Sequence, residues 1–366
     1  MYKEPGRNDP CWCGSQRKYK KCHLNRASEK DLPFQALAHE MKTEWDQKTC
    51  LHPQAAAGVC DRIVSAHTIQ RSRVLQQIAD PSNHVRHFHP FKPDFSRTVL
   101  EIEQVGWREA STFTGFCGRH DNLTFKPLED VDFVGSPEQC FLIGYRALCH
   151  EVYQKLGLVK SYPRTRDLID RGLSAEHQRE LQVIFAATHR NERKGLEDFQ
   201  KLKRSMDKQL IERDYSSWKR ALISFRGDLS VASCGAVSPN RDMDGNGLQV
   251  LHDLDADIQQ LLFGIVSTAD GGAAVFTWQA CDQMPDRFVQ SLLAREKERL
   301  PSLLVQFAFA YIENTYFSND WWSSLSKSNC EQIENLAAIG DAYYTNFSYS
   351  PSLTFVPWEI TDVVVT

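Results

Sequence analysis

Three cysteines and a histidine crowd into one stretch near the start of this 366-residue chain, "GRNDPCWCGSQRKYKKCHLNR", which runs from Gly6 to Arg26. A segment this short, with few apolar residues among its Gly, Pro, Lys and Arg, cannot bury enough apolar surface to offset its chain entropy. If it folds, a cross-link or a metal ion must hold it. Zn²⁺ is held tetrahedrally by thiolate sulfur and neutral imidazole nitrogen, and Cys11, Cys13, Cys22 and His23 offer four such donors. The set closes one structural site and leaves no coordination position for chemistry. Pro10 favours an extended entry, Gly14 allows the turn that lets Cys11 and Cys13 converge, and Arg17 to Lys21 reads as a short basic turn delivering Cys22 and His23. The alternative is a cysteine-rich tail without metal. As a tail, the module is expected to add little to the core of the body.

The run "GRNDPCWCGSQRKYKKCH" resembles the SEC-C motif, a small zinc module best known from the tail of the protein-translocation ATPase and appended to many bacterial proteins. The likeness includes Gly6 to Pro10, the Cys-x-Cys-Gly-Ser turn and the Lys-Tyr-Lys-Lys-Cys-His end. Trp12 and Gln16 depart from the usual residues without removing a ligand. What the resemblance implies is zinc binding and contact with a protein or the ribosome, hence an adaptor role.

A second donor set follows. Cys50 and Cys60 precede "RIVSAHTIQRSRVL", and "STFTGFCGRHDNLTF" brings Cys117 and His120 at the start of an expected helix. Two pairs of soft donors close a second tetrahedral site. His52 is an alternative to Cys50, and isolated buried thiols and histidines are the alternative to any site. The order of elements resembles the HNH nuclease arrangement, in which a metal-binding pair, a strand carrying a histidine and a variable loop lead to a second pair and a helix. The resemblance implies that His67 activates water and that Asp121, beside Asn122, helps to hold a catalytic divalent ion, Mg²⁺ or Mn²⁺. One departure matters: Ala66 stands where that arrangement often has a ligand to the ion. His84, His87 or His89 would have to replace it, or the site is inactive and the region is a treble-clef-like zinc scaffold. Arg62, Arg71, Arg73, Arg86 and Arg119 either contact phosphates or form a solvated face.

Composition narrows the classes that remain. With 42% hydrophobic and 25% charged residues, the chain has ample material for a sizeable core. No apolar run approaches the length of a membrane span, and the polar start is unlike a signal peptide, so a soluble cytoplasmic protein without a membrane partner is expected. Eleven cysteines, an odd number, point to metal ligands and buried thiols rather than a disulfide framework. The net charge of −4 hides an asymmetry, since Lys and Arg outnumber Asp and Glu by eight to three through Lys30. The overall balance therefore does not by itself argue for nucleic acid.

The expected fold class is α+β. It comprises a zinc module (1–28), a zinc-stapled, loop-rich region (29–132), a helical section (133–222) and a C-terminal antiparallel sheet with helices (223–366). A connecting helix is expected in "ASEKDLPFQALAHEMKTEWDQKT", and the prolines of "NHVRHFHPFKPDF" argue for loop. Ser136, Pro137 and Glu138 start a helix, and a second helical pattern runs from about Ala175 to Leu222. Strands are expected in "ALISFRGDLSVASCGAVSP", "GLQVLHDL" and "LLFGIVSTADGGAAVFTWQA", and in the Val-rich tail. "DMDGNGLQVLHD" spaces Asp242, Asp244, Asn246 and Asp253 as a calcium loop does, although its strand-like flanks favour a polar turn. Trp321, Trp322 and the aromatics near Tyr343 read as core. Two functions fit: a zinc protein acting on nucleic acid as an HNH-type nuclease, active or degenerate, in bacterial defence, or a non-catalytic adaptor.

Overall fold

The computed structural model describes residues 4–32, 36–37, 40, 45–94, 97–251, 253–338, 349–350 and 353–366. Most of the expected connecting helix, and the aromatics around Tyr343, lie outside them. The fold is α+β, as the patterns require. Strands β1 (Ile63–His67) and β4 (Thr112–Cys117) form an antiparallel pair. An eight-stranded antiparallel sheet takes β2 (His84–Asp94), β3 (Arg97–Gly106), β5 (Trp218–Arg226), β6 (Val231–Val237), β7 (Leu261–Thr268), β8 (Gly271–Gln279), β9 (Thr315–Phe317) and β10 (Glu359–Val365), in the order β10-β5-β8-β7-β6-β9-β2-β3. The main helices are α1 (Gly118–Glu129), α2 (Pro137–Arg166), α3 (Ala175–Glu212), α4 (Gln283–Leu293), α5 (Leu300–Tyr311) and α6 (Lys327–Ala338).

The chain divides into two compact units, one of Met1–Gln47 with Gln154–Glu197 and the other of Lys48–Tyr153 with Asp198–Thr366. The first holds 18 Lys and Arg against 13 Asp and Glu, and the second 25 against 34, so the first is net basic, and its excess is carried by the residues through Lys30, the rest of the unit being balanced. The module shares that unit with helical residues from far along the chain, rather than standing apart as a tail.

In the larger unit the core gathers around α5, whose residues are all buried. Phe307 at its centre meets Phe263 and Phe276 of the sheet and Phe288 of α4, with ring centroids 5.1 to 5.5 Å apart. Each such ring contributes roughly 1.5–3 kcal/mol by leaving water. The Ser136 hydroxyl accepts from the Gln139 backbone N–H at 3.2 Å and starts α2 as its N-cap. Two glycines let α2 lie close to the sheet. A Cβ on Gly144 would come within 2.8 Å of Leu262, and one on Gly264 within 2.6 Å of Ile143.

Three expectations need correction. The His-rich segment is strand rather than loop: β2 pairs with β3 through Pro90, opposite Leu100, while β9 reaches only Arg86 and His87 on the other edge. Its prolines therefore fall where one edge has no ladder to interrupt. The second helical pattern ends at Glu212, and Trp218 onward joins the sheet. "GLQVLHDL" contributes no strand among the described residues; it follows a turn in which Asp242 accepts from the backbone N–H groups of Asp244 and Asn246 at 2.9 and 2.8 Å. That carboxylate is engaged by its own loop, in keeping with a polar turn. No helix among the described residues is long and apolar enough to cross a membrane.

Candidate metal centres

Within the first unit, the donor atoms of Cys11, Cys13, Cys22 and His23 lie within 4.8 Å of one another. Backbone bonds from Cys11 N to the Arg17 carbonyl (2.8 Å) and from Tyr19 N to the Asp9 carbonyl (2.8 Å) close the loop, and the buried Tyr19 ring packs beneath it. His23 Nδ1 lies 3.2 Å from both Cys11 Sγ and Cys22 Sγ, and Cys13 Sγ lies 3.5 Å from Cys22 Sγ. Zn–S and Zn–N bonds of about 2.3 and 2.0 Å at tetrahedral angles require donor separations of roughly 3.5–3.8 Å, so this set fits zinc with small adjustments. A hydrogen bond from Cys22 pulls the Cys13 thiol down to about 7, towards the thiolate that a metal requires.

The second centre lies in the larger unit, where Cys50, Cys60, Cys117 and His120 also come within 4.8 Å. Cys117 ends β4 opposite Ile63, and α1 begins at the next residue, which places His120 in its first turn. Cys50 is held beside β4 by bonds from Thr49 N to the Thr114 carbonyl (3.1 Å) and from Leu51 N to the Gly115 carbonyl (2.9 Å). His120 Nδ1 lies 3.2 Å from Cys117 Sγ and 3.5 Å from Cys50 Sγ and Cys60 Sγ. The alternative ligand His52 instead stacks on the His120 ring at 4.1 Å. Burial pushes the Cys50 thiol up to about 11, so a metal at this centre would itself have to displace that proton. Among the described residues these are the two groups of Cys, His, Asp and Glu able to hold an ion.

His67 closes β1 just after a bulge at Val64/Ala66. Its Nε2 lies 3.0 Å from the Arg108 carbonyl. A carbonyl only accepts, so Nε2 carries the proton and Nδ1 keeps a lone pair. Burial above all, reinforced by Arg71, holds His67 down at about 4, neutral at physiological pH. Asp121 sits in the first turn of α1, with its Oδ1 buried and lacking a hydrogen-bond partner. Phe125 and Glu129 continue the same helix face at four-residue steps. The buried Arg146 of α2 lies with its guanidinium 4.1 Å over the Phe125 ring and its Nη1 2.7 Å from Glu129 Oε1. Ala66 is buried and offers no donor. The proposed replacements stand elsewhere: His84 hydrogen-bonds Ser82 at 3.0 Å and His87 pairs with Glu103 at 3.3 Å, both on β2, and neither they nor His89 join Asp121 in a metal-holding group.

Sequence reasoning missed the charged residues that support the second centre. The buried Lys203 Nζ donates to the Leu51 carbonyl at 2.6 Å, between Cys50 and His52, and to both Asp207 oxygens at 2.8 Å; Tyr145 donates to the same carboxylate at 2.7 Å. Lys203 and Asp207 are an i,i+4 pair of the kind that usually faces solvent, and nothing local marks them as buried.

Full-length protein purified under metal-limited conditions and then reconstituted is expected to retain two zinc ions per chain by plasma mass spectrometry. One ion or none would remove at least one centre. Comparison with known proteins locates the first centre alone: residues 7–25 match the family model of the SEC-C motif. No curated protein and no solved structure matches the chain.

Proposed function

We propose that this zinc-binding protein hydrolyses phosphodiester bonds in nucleic acid at the surface formed by β1, β4 and α1, with His67 as general base. The observation that carries the reading is a neutral histidine at the end of a strand whose partner strand runs directly into a four-donor metal centre and a helix bearing Asp121. His67 Nδ1 would accept a proton from water as its oxygen bonds to phosphorus, and the P–O ester bond would break with protonation of the leaving oxygen. Asp121 stands there without a second protein ligand among the described residues, so a divalent ion, Mg²⁺ or Mn²⁺, would be held by it together with the substrate phosphate and would supply a Lewis acid for the phosphate oxygens. With Ala66 unable to ligate, Arg146 adds fixed positive charge that acts on both His67 and Asp121. An anionic phosphate drawn to Arg71 and Arg146 would offset their repulsion of a proton on His67 and raise its basicity.

The pH dependence tests the assignment. The acid limb of kcat/KM is expected near pH 4, where His67 gains its proton, and a limb at the ordinary histidine value of 6.5 would count against it. The same depression makes the fold lose stability as pH falls from 6.5 to about 4, because the unfolded chain takes up this proton first.

A second reading has its own observation. The SEC-C match and the exposed Lys18, Lys20 and Lys21 beside a closed metal centre favour an adaptor that binds a protein or the ribosome without chemistry.

A further inference from the structure

We propose that Asp170 is the outer partner of the first metal centre, so that loading of the Cys11, Cys13, Cys22 and His23 cluster and ordering of residues 154–197 are one event. The inference is independent of hydrolysis at His67. It begins with the two nitrogens of His23: Nδ1 faces Cys11 and Cys22, while Nε2 lies 2.7 Å from Asp170 Oδ2. An ionised carboxylate can only accept, so Nε2 donates to it, which leaves Nδ1 as the ring nitrogen placed to ligate a metal. A carboxylate behind a metal-bound histidine fixes its tautomer and orientation and raises its strength as a ligand.

Asp170 is fully buried, and burying a carboxylate costs several kcal/mol unless donors surround it. Here they come from separate parts of the chain. Besides His23, Arg26 Nη1 reaches Asp170 Oδ1 at 2.9 Å and Gln182 Nε2 reaches Oδ2 at 2.7 Å. Arg26 Nη1 also donates to the Asp167 carbonyl at 2.7 Å, and Arg26 Nε to the Cys22 carbonyl at 3.3 Å. Arg17 spans the remaining gap, from Cys22 Sγ at 3.5 Å to Asp167 Oδ1 at 2.5 Å. A cluster of three thiolates, one neutral imidazole and Zn²⁺ carries a net charge of about −1, which these arginines face. The four ligands lie in the first 23 residues, yet the network orienting one of them is anchored on the turn after α2 and on α3. Emptying the centre frees His23 to rotate and leaves Asp170 with fewer donors, and the helical residues then lose their tie to the module.

Hydrogen–deuterium exchange on the full chain tests the coupling. Cys22→Ser is expected to lose protection both in residues 4–32 and around 160–185. Loss confined to 4–32 would overturn the proposal. Asp170→Ala is expected to weaken zinc retention against a chromogenic chelator about 10–100-fold, with Asp170→Asn less affected, and to shift the visible bands of the Co²⁺-substituted first centre. Zinc retention and cobalt bands equal to wild type in both Asp170 variants would also overturn it, as would a wild-type first centre that binds no zinc. Should the Asp170 variants not fold, chelator titration of the wild type decides, since release of the first ion must coincide with loss of protection around 160–185.

Discussion

Replacing Cys117 with serine is expected to destabilise the whole larger unit rather than merely empty one centre. Cys117 is fully buried at the junction where β4 becomes α1, and the backbone of the Cys50 loop is bonded to the same strand. The surrounding segment from Cys50 to Ile63 has little regular structure of its own, so metal-ligand bonds there are folding energy. Structural zinc contributes about 10–16 kcal/mol in small modules, comparable with the entire stability of a domain at about 5–15 kcal/mol. Losing one of four ligands forfeits only part of this, and a loss of about 3–5 kcal/mol should lower the melting temperature by on the order of 10 °C in a unit of this size. The Lys203 and Asp207 network adds to the effect, since a displaced Leu51 carbonyl leaves a buried ammonium short of an acceptor. Calorimetry on Cys117→Ser with zinc quantified in parallel gives the answer; a melt within about 2 °C of wild type, less than 1 kcal/mol, would show that the centre is dispensable.

Replacing His67 with alanine is expected to reduce cleavage by about 10²–10⁴-fold while zinc content and melting temperature stay close to wild type. The separation rests on geometry. His67 is only partly buried at a strand end, its one described hydrogen bond is to the Arg108 carbonyl, and it belongs to neither metal centre. A buried structural histidine would behave oppositely, with a large melting shift and an unchanged rate. The measurement is a panel of single- and double-stranded DNA and RNA, with Mg²⁺, with Mn²⁺ and with neither added to zinc-loaded protein. If wild-type protein with both centres filled cleaves nothing in that panel, the adaptor reading takes over, and Ala66 supplies the physical reason.

The eight candidate metal donors were legible in the sequence because coordination chemistry restricts which side chains can serve, and because Cys11, Cys13, Cys22 and His23 are close along the chain. Cys117 and His120 were readable for the same reason, as a short-range pair at a turn into a helix. Pairing them with Cys50 and Cys60 was only one option until the strands brought the pairs together, and the same contact separated Cys50 from His52. The helix start at Ser136 was also local, set by capping chemistry. The strand through Pro90 was not, because its edge became permissive only when β9 proved too short to reach it.

What the sequence determined by itself was therefore donor identity and local punctuation, since both depend on neighbours a few residues apart. Tertiary structure alone decided which charges left water. Asp170 and Arg26 behind the first centre, Lys203 behind the second and Arg146 above Phe125 are all ordinary charged residues in the sequence. Each is buried by packing between segments distant along the chain, and a charge that loses its water must find partners or be neutralised. That requirement turns four residues with the appearance of solvent-facing charges into the supports of the candidate sites.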